Sequence, residues 1–219
     1  MANENLNLHR LLNTFIRDYM KDVFTCIPGH VLAFNPAEQL AQVQIGIQKV
    51  LQSGETKIAP PIIDVPVLFI GDQYAMETAI RPKCEGLVFF SQRCVDGWLN
   101  TGGVAANPIG RFFDMSDAFF VPGFRPIPKA LKNFSNNGLK LRNAAASQRI
   151  WLKEDNSIEL TNGSGTITVK PSGDVVINGA VIDTKGRITA SEVTANGIVL
   201  TSHVHSGVKA GESSTGGPQ

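Results

Sequence analysis

The chain has 219 residues, is 42% hydrophobic and carries a net charge of +1, a composition ordinary for one or two globular domains. So balanced a charge gives no bulk electrostatic reason to expect nucleic-acid binding. No run approaches the ~18 apolar residues of a membrane-spanning helix. Met1 to Arg10 lacks the charged and apolar regions of a signal peptide, so synthesis in a cytoplasm is expected. Cys26, Cys84 and Cys94 are odd in number and lack metal-type spacing, which makes reduced, packed thiols the expectation. All twelve Phe lie at or before Phe134, and no aromatic follows Trp151. The last third must therefore build its core from aliphatic side chains, or share one with other chains.

Taken in order, Leu6, Leu8, Leu11, Leu12, Phe15, Ile16 and Tyr19 recur at spacings of three and four. The pattern predicts an amphipathic helix over about 5–22, within an N-terminal segment 1–23, with Asn3 or Asn5 as its cap. From 24 to 128 the texture is strand-like, with runs at His30–Phe34, Leu40–Val50, Asp64–Ile70, Gly86–Ser91 and Ala118–Phe124. A small closed barrel, OB-like, is the expected fold there, with Ser53-Gly54-Glu55 closing a hairpin and a Gly-rich exposed loop from Trp98 to Pro108. Pro122, Pro126 and Pro128 lead into a polar linker over 129–138.

Residues 139–200 read as short alternating strands cut about every ten residues by turns such as Asn162-Gly163, Ser172-Gly173, Asn178-Gly179 and Asn196-Gly197. Each strand has one dry face and too little bulk to seal a core alone. A lone chain of this kind leaves apolar surface and strand edges open. Three chains wound about one axis cover both, so a parallel homotrimer with an intertwined triple-stranded β-helix is expected over 139–200.

The segment 201–219 opens with Thr201-Ser202-His203-Val204-His205. In an extended strand, His203 and His205 would face one way, about 7 Å apart. Two imidazoles make a poor metal site, but three copies supply six nitrogens. An octahedral shell of neutral imidazoles suits Fe(II), Ni(II) or Co(II) better than four-coordinate Zn. His9 and His30 are expected to be structural.

The layout of helix, OB-like barrel, aromatic-free β-region and terminal Ser202-His203-Val204-His205-Ser206-Gly207, with the tail Ser213–Pro218, resembles the central spike proteins of contractile-tailed phage baseplates. The resemblance implies a trimer in the virion tail. Its barrel would attach to the baseplate hub and tail tube, and its β-helix would pierce the host outer membrane on contraction. It also implies one iron ion in the tip, held by His203 and His205 of three chains, with residues after Gly207 folded back against the trimer. An enzyme is disfavoured: Glu154, Asp155, Asp174 and Asp183 sit at predicted turns, and no Gly-x-Ser-x-Gly elbow or phosphate loop is present. The alternative is a trimeric, tail-fibre-like adhesin for a surface glycan, which would favour exposed distal aromatics that this chain lacks.

Overall fold

A computed structural model describes residues 2–51, 53–106, 109–205, 207 and 211, with the side chains of 2–6 excepted. The chain divides into two units, residues 1–130 and 131–219. It is mainly β.

In the first unit, α1 (Ala2–Met20) matches the predicted amphipathic helix, and every side chain from 7 to 20 is exposed. The helix begins at Ala2, earlier than expected, so Asn3 and Asn5 lie within its first turns and neither is its cap. Five strands form one curled sheet in the order β5-β2-β1-β8-β9: β1 (Cys26–Asn35), β2 (Leu40–Ile45), β5 (Ile62–Pro66), β8 (Glu85–Phe90) and β9 (Ala118–Pro122). Alternation decides which side is dry. Ala41, Val43 and Ile45 of β2 point inward, and so do Val88 and Phe90 of β8. Val31, Val43, Val65, Val88 and Phe120 meet at the centre of the core. The two outer strands of the sheet are brought together by a parallel bridge between Val67 and Phe120, where the Leu68 N–H donates to the Phe120 carbonyl at 2.9 Å.

The curl requires glycine at one crossing. Gly29 of β1 and Gly86 of β8 are register partners. A Cβ on Gly86 would stand 2.3 Å from the Val121 carbonyl oxygen and 2.5 Å from the Phe120 ring. Gly86→Ala is expected to cost about 1–3 kcal/mol through overpacking, read as a lower denaturant midpoint at unchanged slope. An unchanged midpoint would show that β8 can shift freely.

Small hairpins decorate this sheet: β3 (Lys49–Val50) with β4 (Thr56–Lys57), and β6 (Ile70–Gly71) with β7 (Ala75–Met76). The predicted single strand over 40–50 in fact ends at Ile45: the next residue, Gly46, faces Pro28 of β1 and donates to its carbonyl, but proline has no N–H to return and the ladder stops. The predicted loop at Trp98 contains a short helix, α2 (Asp96–Thr101), followed by Gly102 and Gly103 at positive φ. Residues 107–108 of that loop lie outside the described residues.

The second unit is an antiparallel meander of seven strands in sequence order. They are β10 (Gly138–Arg142), β11 (Arg149–Lys153), β12 (Ile158–Thr161), β13 (Thr166–Val169), β14 (Val175–Ile177), β15 (Ala180–Ile182) and β16 (Ile188–Thr189). A last pair, β17 (Thr194–Ala195) and β18 (Ile198–Val199), precedes the tip. Turn chemistry sets the connections. Asn178-Gly179 and Asn196-Gly197 both have positive φ at the two loop positions, the tight-hairpin geometry that matches strand twist. The carboxylates of Asp155 and Asp183 accept backbone N–H bonds at their turns.

Candidate functional site

Three features bear on function: the apolar face of the meander, the histidine pair at its distal end, and a buried ion-pair hub in the first unit.

Cross-strand register aligns the aliphatic residues of the meander into two unbroken rows. One runs Leu139, Leu152, Ile158, Val169, Val175, Ile182, Ile188. The other runs Leu141, Ile150, Leu160, Ile167, Ile177, Ala180. Neither row contains a charge, and in the single chain Leu160 is 46% and Ile167 40% exposed. An apolar surface this continuous is rarely left to water and marks an interaction face. The opposite face is polar at its proximal end. There Glu159 accepts from Arg149 at 2.6 Å and from Lys153 at 2.8 Å, while the Lys140 ammonium lies 3.5 Å from the centre of the Trp151 ring. The Lys153 hydrogen bond outweighs the cost of burial and, with Arg149, holds the Glu159 carboxyl below its ordinary range.

His203 and His205 lie just beyond β18, after a turn at 201–202, rather than in the extended strand expected for them. The His203 N–H donates to the Val199 carbonyl at 3.0 Å, which closes the turn and removes the segment from any ladder. The two rings nevertheless meet edge to face, with centroids 5.0 Å apart and planes at 79°, and both residues are exposed. His203 Nδ1 is 2.9 Å from the Leu200 carbonyl oxygen. A carbonyl can only accept, so Nδ1 carries a proton, and in the neutral ring the lone pair is then on Nε2. This is the tautomer-fixing arrangement seen behind metal-bound imidazoles, and the donor set fits a divalent transition metal. With His205 beside it, one chain offers two imidazole rings. Ser206 and the tail residues 208–210 and 212–219, expected to fold back against the trimer, lie outside the described residues.

The hub has no counterpart in the sequence reading. Asp117 is fully buried, and its carboxylate receives a bidentate pair from Arg111, Nε at 3.0 Å and Nη2 at 2.8 Å. The Val95 N–H donates to the same carboxylate at 3.0 Å. Arg111 Nη2 also reaches Asp96 at 3.0 Å and the Cys94 sulfur at 3.2 Å. Among the described residues, Cys94, Asp96 and Asp117 are the one cluster with metal-ligand character. The Arg111 guanidinium already lies among them, so the chemistry is that of an internal cation. Burial opposes ionisation of Asp117, but the Arg111 and Val95 hydrogen bonds and the Arg111 charge hold its carboxyl below the usual value. Arg111 is correspondingly raised above its ordinary range, its bond to Asp117 outweighing desolvation. The hub ties α2 and its loop to the foot of β9.

Comparison with known families places two modules on this framework. Residues 27–123, the curled sheet from β1 to the end of β9, match the model for the N-terminal domain of phage protein Gp138. Residues 197–219, from the β17–β18 turn through the histidine pair and the tail, match the GpV apex motif. No curated protein matches the chain.

Proposed function

We propose, from the premise that the chain carries the modules of a phage baseplate central spike, that three copies form the piercing point of a contractile tail. The observation that carries this reading is the pair of uncharged aliphatic rows along the meander, which end at Ala180 and Ile188 shortly before the apex-matched segment begins at residue 197. Turned toward a common threefold axis, the rows of three chains cover one another and form a shaft with no aromatic residue beyond Trp151 to thicken it. The first unit, whose strands run in the cyclic order of an OB barrel with its parallel closure at Val67–Phe120, serves as the attachment to baseplate hub and tail tube. On tail contraction the shaft is driven through the host outer membrane. The work is mechanical and needs neither a catalytic residue nor nucleic acid.

At the point, His203 and His205 of each chain would hold one iron ion, six nitrogens in all, for which Nε2 of His203 is already the free acceptor. The ion supplies no reaction. It ties three chain ends together where the apolar rows have run out, adding binding energy to folding. Metal analysis of the purified protein should give one iron per three chains. His203→Ala with His205→Ala should remove the metal and lower resistance of the tip to proteolysis, with the sedimentation coefficient unchanged. A monomeric wild-type protein, or one free of transition metal, would overturn the corresponding half of the reading.

A further inference from the structure

The Trp98 segment lies beside a concave surface of the first unit with a distinctive chemistry. Its floor is aromatic: Phe89 and Phe119 are cross-strand partners on the outer side of the sheet, and Trp98 packs edge-on against Phe119 with ring centroids 5.7 Å apart. Asp72 stands at its wall, and an adjoining hollow that shares Gln39, Pro66, Val67 and Trp98 with it carries Glu38, Asp64 and Asp96, so that the two together make an acidic rim; among the described residues neither is lined by Lys, Arg or His. Of the four carboxylates only Asp96 has an ion-pair partner, Arg111, among the described residues.

The complementary surface occurs in the same chain. No acidic residue stands between Asp117 and Glu154. Within that stretch Phe124-Arg125-Pro126-Ile127-Pro128-Lys129 presents two cations and two unsupported apolar side chains, Phe124 at 54% and Ile127 at 93% exposure. Its prolines hold it extended before a 3₁₀ turn at Ile127–Lys129, so little conformational freedom remains to be lost on docking. In its own chain the segment is held away from the groove floor. Lys129 pairs with Glu85, and the Gly123 N–H donates to the Glu85 carbonyl, at the Gly86–Pro122 end of the β8–β9 ladder. The Phe89–Phe119 floor is three residues further along, about 10 Å away.

We propose that the acidic aromatic groove beside Trp98 receives the Phe124–Lys129 segment of a second copy of this chain. Ile127 or Phe124 enters against Trp98 and Phe119, and Arg125 faces the carboxylate rim. A segment of one copy in the groove of the next is a heterologous contact, which closes into a ring under a threefold axis. The inference rests on the trimer reading above and adds to it an interface that clamps the attachment unit independently of the shaft.

The test uses full-length protein assembled from unlabelled and nitrogen-isotope-labelled chains in an Arg125→Lys variant, treated with a carbodiimide that joins lysine to carboxylate without a spacer. Isotopically mixed cross-links between residue 125 and Asp64, Asp72 or Glu38 are expected, and Ile127→Asp should abolish them. In a Trp151→Phe background the same Ile127→Asp change should shift Trp98 emission to the red. A protein that sediments as a trimer but gives only within-chain cross-links, with Trp98 emission unmoved by Ile127→Asp, overturns this proposal alone. A monomer overturns it together with the assembly it rests on.

Discussion

Ile167→Asp is expected to abolish assembly while leaving the curled sheet of the first unit folded. Ile167 sits mid-row on the apolar face, with Leu160 and Ile177 as its cross-strand neighbours. Its row holds no cation that could pair with a new carboxylate. Closing three copies on this face would bring three unpartnered carboxylates toward one axis, each costing roughly 3–5 kcal/mol if it stays ionised. That sum exceeds what a shaft of small aliphatic residues can offset. Thr166→Asp provides the control, since this exposed side chain points to the other face of the strand, opposite the uncharged Thr161, and surface changes are usually within about 0.5 kcal/mol. Sedimentation should report a dissociated Ile167→Asp chain and an assembled Thr166→Asp chain. If Ile167→Asp assembles with an unchanged melting profile, the apolar rows do not face their symmetry mates.

Arg111→Ala is expected to be the most damaging single change in the first unit. It leaves the fully buried Asp117 carboxylate with uncharged partners, the Val95 N–H and the Cys94 thiol, and leaves Asp96 without its ion pair. Removing one member of a buried pair costs about 3–5 kcal/mol, a large share of the 5–15 kcal/mol typical of a domain. Arg111→Lys should recover only part of this, because an ammonium cannot make the bidentate bond to Asp117 while also reaching Asp96. The linkage has a definite sign. Asp117 is held below its ordinary value in the fold, so its contribution is complete above the unfolded value near 4 and fades as pH falls through the lowered native value. Asp117→Asn should therefore unfold at milder denaturant at neutral pH and lose less stability than wild type on acidification. Denaturant titrations across pH test both statements; an Arg111→Ala midpoint within error of wild type would mean the hub is solvated in practice.

Local chemistry made much of this architecture legible. Alternation at Leu40–Ile45 and at Thr166–Val169 is a period-two signal that needs no partner to be read, and both segments are strands. Asn178-Gly179 requires positive φ at both residues, and a two-residue hairpin is what it makes. The short strands β15 and β17 are not legible in this way, because Ala180–Ile182 and Thr194–Ala195 are too brief for a period to show. The α2 helix escaped for a different reason. Asp96-Gly97-Trp98-Leu99-Asn100-Thr101 has weak helical propensity, and its position is fixed by Arg111, fifteen residues away.

By itself the sequence determined the mainly β character, the N-terminal helix and the aliphatic face of the distal strands, because each follows from periodicity or turn residues along a short stretch. Only the tertiary structure decided what lies between distant residues. It set the closure of the sheet at Val67–Phe120, the Arg111 hub, the aromatic floor beside Trp98, and the turn that lifts His203 and His205 out of the ladder. Those contacts join residues whose separation carries no pattern, and their energy exists only once the intervening chain has folded.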